Sequence, residues 1–229
     1  MANPGRDTEL WHGSYLQTYL ERDVRRLRQI GDLSQFQDFM RMPASRSGQL
    51  LNVAGLARDL GLAPNSVKGW ISVLEASCQI VVVRPYFANI GKRLVKSPKI
   101  YFLDTGLLCY LTGLRTPDHA AAGPLSGGIV ETAVLSELVK AFWNRGREPR
   151  LHFWRTAAGE EVDFVLEENG RPIPIEVKQS ATPRPSMADG IRAFALHHAN
   201  ARGTGYVVYL GEKVMPLGDG IRAVPLACL

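Results

Sequence analysis

The residues best equipped for chemistry in this 229-residue chain sit in two short runs, Glu161-Val162-Asp163 and Glu176-Val177-Lys178. Between them stands Asn169-Gly170, the dipeptide that most readily takes the left-handed φ values of a two-residue type I′ turn, so residues 161–178 read as a β-hairpin. If Glu168 faces Arg171 across the turn, Asp163 lies opposite Glu176 and Glu161 opposite Lys178. Alternation then gives one apolar face, Val162, Phe164, Leu166, Ile173, Ile175 and Val177. The other face carries Glu161, Asp163, Val165, Glu167, Pro172, Pro174, Glu176 and Lys178. Two carboxylates opposed across a ladder repel each other. A hard divalent cation such as Mg²⁺ would offset that repulsion, and a neighbouring ammonium would orient a water or an anionic phosphate. The plainer alternative is a solvated strand face, with Glu161 and Lys178 as a cross-strand ion pair and both acids in water.

The elements that must position this hairpin follow from periodicity. Residues 129–143 (IVETAVLSELVKAFW) have helical period, with Glu131 on the stripe of Leu135, Leu138 and Phe142. A carboxylate at the start of a buried face needs a partner; a first-turn acid serving the helix dipole is the simpler alternative. A strand at 151–155 precedes the hairpin. A helix over 186–200, a strand over 205–210 and a short strand near 221–226 follow it. Residues 117–128 (PDHAAAGPLSGG) carry no periodicity and read as a linker between a first part, 1–116, and a second, 129–229.

In the first part, residues 11–30 read as an amphipathic helix and residues 33–40 as a second. Residues 53–72 (VAGLARDLGLAPNSVKGWIS) have helix-turn-helix spacing. Ala57 permits a close helix crossing, Gly61 takes the turn, Pro64 opens the second helix, and Val67 and Trp70 seat it. Asn65, Ser66, Lys68 and Ser72 form the exposed face, the one a DNA reader presents to the major groove. The strands that follow, joined by a basic loop, suggest a two-stranded wing whose Lys92, Arg93, Lys96 and Lys99 would meet phosphate. The net charge of +5 falls wholly within residues 1–118, which favours an anionic partner for this part; helix pairs that serve only packing or dimerisation are the alternative. Cys78, Cys109 and Cys228 are odd in number and far apart, fitting neither a disulfide framework nor a zinc site. His197 and His198 read as surface or structural. No apolar run approaches a membrane span and the N-terminus lacks a signal-peptide core, so a cytoplasmic protein is expected.

Asp163 on one strand, Glu176-Val177-Lys178 on the next and Glu131 on the preceding helix resemble the PD-(D/E)XK superfamily of restriction-endonuclease-like folds. Nearly the whole chain is similar to the C-terminal region of a bacterial and archaeal family of AAA+-type ATPases. That likeness lies in "YLQTYLERDVRRL", "GQLLNVAGLARDLGLAPNSVKGWISVLEAS", "RPYFANIGKRLVKSPKIYFLDTGL" and "LHFWRTAAGEEVDFV…PIEVKQS". Together these imply an α+β or α/β protein, with a helical winged-helix region and then a restriction-endonuclease-like mixed sheet with flanking helices. By the same resemblance, Asp163, Glu176, Glu131 and the Val177 carbonyl would hold Mg²⁺ or Mn²⁺, and Lys178 would position the attacking water. Nucleic acid is the expected partner, with an ATPase module or subunit as a second. No G-x-x-x-x-G-K-[ST] loop exists in the chain, and Gly91-Lys92 lacks its spacing. A non-catalytic DNA- or protein-binding regulatory module is the competing expectation.

Overall fold

The computed structural model describes residues 7–25, 30–86 and 96–229. The chain divides into two compact units, residues 1–81 with 100–129 and residues 82–99 with 130–229.

The first unit is helical. The Asp7 carboxylate caps α1 (Thr8–Thr18), a π-helical stretch, Tyr19–Val24, continues it, and α2 spans Leu33–Ala44 behind an Asp32 cap. Residues 26–29 of the expected first helix lie outside the described residues. The helix pair stands where its punctuation requires. Asn52 caps α3 (Val53–Leu60), accepting the Gly55 N–H, and Gly61 ends it at φ +65°, a conformation glycine takes without steric cost. Pro64 opens α4 (Pro64–Ala76). Val67 and Trp70 turn inward, and the Trp70 ring packs edge-on at 5.3 Å against both Phe36 and Phe39 of α2.

Among the described residues, eight strands form a mixed sheet in the order β2-β1-β3-β4-β5-β6-β8-β7. β1 (Ile80–Pro85) and β2 (Lys99–Phe102) are the strands expected as a wing. They pair with each other at one end of this sheet, where β1 also runs parallel to β3 (Leu151–Arg155) through Arg84 and His152. After α5 (Thr105–Leu111), residues 117–128 hold more structure than a linker. Thr116 and Pro117 start a short helix, α6 (Pro117–Ala122), and α7 begins at Ser126 and reaches Trp143.

In the second unit, β3, β4 (Glu161–Glu168) and β5 (Arg171–Lys178) are antiparallel. α8 (Asp189–His197) then crosses over to β6 (Gly205–Tyr209), which lies parallel to β5. One strand was not anticipated, β7 (Met215–Gly218), at the sheet edge beside β8 (Ile221–Pro225). α8 is pinned by two side chains one turn apart. Ile191 packs with Val207, Tyr209 and Ile221, and Phe194 packs with Tyr86, Trp154, Val162 and Val165.

Candidate functional site

The hairpin turn is as expected: Asn169 and Gly170 have φ of +51° and +73°, and the β4–β5 ladder pairs Glu168 with Arg171 through Phe164 with Ile175. Strict alternation fails one residue further on. Between β3 and β4 the register shifts, pairing His152 with Val165 but Trp154 with Val162. Asp163 and Phe164 thus oppose Phe153 alone, a β-bulge. Val162 and Val165, expected on opposite faces, therefore share one apolar cluster. A bulge re-aims side chains. Here Asp163 turns across to β5, and its Oδ2 accepts the Val177 N–H at 2.8 Å.

Glu176 is 5% exposed, and the Lys178 Nζ donates to its Oε2 at 2.9 Å. Burial and the charge of Asp163 push the Glu176 carboxyl up to about 9, against the opposing pull of Lys178. Burial works against the Lys178 ammonium, yet Glu176, Asp163 and Glu131 together raise its pKa. The cluster thus retains protons to higher pH than its separate groups would.

Glu161 does not pair with Lys178. Its partners are Lys99, with Nζ 2.7 Å from Oε1, and Arg155, with Nη1 3.5 Å from Oε2. Lys99 is the larger revision. Expected on a phosphate-facing wing, it is 4% exposed and also lies 3.9 Å from the Glu131 carboxylate, so the acid of α7 has its partner. Lys178 bonds its own strand neighbour because side chains at i and i+2 share a face.

Asp163, Glu176, Lys178 and Glu161 line an open cleft of about 470 Å³, with Asp189 and Gly190 of α8 opposite. Gly190 is required there. A Cβ at that position would strike the Glu176 Oε1 and the Glu161 carbonyl oxygen. On the rim, Glu160 meets His197 at 3.4 Å. His198 is buried among Tyr86, Trp154 and Phe194, so of the histidine pair one faces the rim and the other is core. A larger groove of about 580 Å³ beside α8 is lined by Ile191, Leu196 and Ile221. Its Arg192 and Asp219 bond each other at 2.9 Å, leaving an apolar trough without reactive groups.

Asp163 and Glu176 offer hard oxygen donors whose joint charge is costly when buried, and that donor chemistry suits Mg²⁺ or Mn²⁺. Among the described residues, no group of three or more His, Cys, Asp or Glu converges as a metal cluster. On the first unit, Asn65, Ser66, Lys68 and Ser72 are all exposed, as is Lys96 of the second. Lys92 and Arg93 lie outside the described residues.

Residues 2–118 match a family model described as a domain of unknown function, DUF8612. The chain belongs to that family. Downstream of the DUF8612 region, residues 126–229 match a second domain of unknown function, DUF4143, which contains the whole carboxylate cleft. An uncharacterized protein of Mycobacterium tuberculosis and another of Mycobacterium bovis are each 34% identical over 224 residues, covering 98% of this DUF8612 chain. The chain spans about half, 49%, of the length of these curated relatives. No solved structure matches it. Among the described residues, no helix is long and apolar enough to cross a membrane.

Proposed function

We propose that the chain binds nucleic acid and carries a PD-(D/E)XK-like, metal-dependent phosphodiesterase site at Asp163, Glu176 and Lys178. The observation that carries this reading is the bulge that turns Asp163 toward β5, beside a buried Glu176 whose ionisation burial and a second acid make costly, so that a divalent ion there would displace its proton. Asp163 and Glu176, with the Val177 carbonyl, would hold Mg²⁺ or Mn²⁺. When bound, that ion would neutralise charge at the scissile phosphate oxygens and acidify a water. Lys178, whose side chain is 36% exposed, would orient that water and meet the charge developing on the phosphate. The Val177 N–H holds Asp163 in place, and Gly190 keeps α8 off the carboxylates.

The helix pair α3–α4 would act as a winged-helix-type reader, with Asn65, Ser66, Lys68 and Ser72 facing nucleic acid and Lys96 adding a phosphate contact. The chain's resemblance to the C-terminal region of AAA+-type ATPases, and relatives about twice its length, support an ATPase module or subunit as the working partner.

A second reading is a non-catalytic regulatory module. Its support is that the ammonium of Lys178 and one oxygen of Asp163 already have partners within the chain. Incubation with single-stranded, duplex and branched DNA plus Mn²⁺ separates the two. Wild type should cleave at least one substrate, and Asp163→Asn and Lys178→Ala should each lose 10²-fold or more, the order expected for a group acting on the transition state. Retained DNA binding without cleavage by wild type would establish the regulatory reading instead.

A further inference from the structure

Lys99 opens a strand whose other members, Ile100, Tyr101 and Phe102, are no more than 1% exposed and apolar. Packing alone would place another aliphatic residue there. Burying an ammonium costs several kcal/mol unless it is paired and hydrogen-bonded, so the position of Lys99 is explained by what it meets. Its Nζ lies 2.7 Å from Glu161 and 3.9 Å from Glu131, and 5.6 Å above the Phe153 ring. Burial works against its charge, yet Glu131, Asp163 and Glu161 hold its pKa above that of an ordinary lysine. Two lysines from different strands therefore serve one group of carboxylates, Lys99 at Glu131 and Glu161, and Lys178 at Glu176.

We propose that Lys99 is a tethered cation of the cleft, neutralising Glu131 and Glu161 so that only Asp163 and Glu176 remain to take a divalent ion. The site then binds one ion, and Glu131 is the counter-ion of Lys99, not a metal ligand. The count of one rests on the phosphodiesterase reading; the role of Lys99 does not. Replacing Lys99 by a neutral side chain takes one positive charge from between Glu131 and Glu161, with Arg155 still 3.5 Å from Glu161, and the added negative charge would recruit a divalent ion in place of the ammonium.

The test is Mn²⁺ binding by calorimetry, with free Mn²⁺ followed by electron paramagnetic resonance, on the full chain. Wild type should bind one equivalent, abolished in Asp163→Asn and kept within threefold in Glu131→Gln. Lys99→Gln should bind one equivalent more than wild type, and Lys99→Arg should match wild type. An unchanged stoichiometry in Lys99→Gln, or loss of the wild-type ion in Glu131→Gln, would overturn the proposal. Wild type binding none while Lys99→Gln binds one would uphold the tethered cation and remove the metal-dependent reading of Asp163 and Glu176. If Lys99→Gln does not fold in EDTA, the double variant Lys99→Gln/Glu161→Gln, which also removes a charge Lys99 neutralises, should recover the melting temperature. Failure to recover it would show that Lys99 serves packing, and the proposal falls.

Discussion

Glu176→Gln should stabilise the protein at neutral pH, and increasingly so as pH rises. The Glu176 carboxyl is raised from an ordinary value of 4.5 to about 9 in the folded chain, by burial first and then by Asp163. Between those two values the folded state holds a proton that the unfolded state has released. Stability present below pH 4.5 is therefore lost as pH climbs through this window. For one proton the slope approaches about 1.4 kcal/mol per pH unit. Glutamine keeps the shape and a hydrogen-bonding oxygen for Lys178 but has no proton to lose. Between about pH 5.5 and 7.5, wild type should thus lose roughly 2–3 kcal/mol relative to Glu176→Gln. Within this window the folded wild type holds Glu176 protonated, so Lys178 donates to a neutral oxygen in both proteins and that bond does not alter the divergence of the curves. Urea melts of both proteins in EDTA, at half-unit pH steps, read the difference directly. Parallel curves across the window would refute the reasoning, since they would mean that Glu176 ionises as freely in the folded chain as in the unfolded one.

Gly190→Ala should cost roughly 1–3 kcal/mol, because its Cβ meets both a backbone oxygen of Glu161 and the Glu176 carboxylate. Thermal melts and Mn²⁺ titration would show it, and an unchanged melting temperature would mean α8 sits further from β4. His198 is held below the ordinary histidine range by burial and then by His197. Its stabilising contribution is present above pH 6.5 and is lost as pH falls. His198→Phe should therefore flatten the acid limb of the stability curve below that point, as followed by tryptophan fluorescence in urea.

The hairpin was legible because its signals are local. Asn169-Gly170 sets the turn, and the apolar spacing sets the register from Glu168 to Phe164. The helix pair was legible for the same reason, through Asn52, Gly61 and Pro64. Alternation, by contrast, could not foresee the bulge at Asp163, because the bulge is a mismatch between β4 and β3, strands joined through a separate loop. Lys99 was misread for a related reason: a basic residue after a basic loop looks solvent-facing until Glu131 and Glu161 arrive from distant segments. The α6 helix did carry a signal, Thr116 as a cap before Pro117 at the first helical position, which the run of Gly, Pro and Ala masked. Met215-Pro216 hid β7, since proline argues against a strand except at an edge, and β7 is an edge.

The order in which these segments meet bears on how the chain folds. A hairpin closed by two residues forms within about 1–10 μs, whereas the parallel pairing of β5 with β6 must wait for the α8 crossover and pay a longer loop closure. Asp163 and Glu176 are thus brought together early, while Lys99 reaches Glu161 only after distant segments have been gathered. For that interval the hairpin has Lys178 beside Glu176 but carries Glu161 without the Lys99 ammonium that later pairs with it. A dissolved divalent ion, or low pH, would favour that transient state and speed refolding.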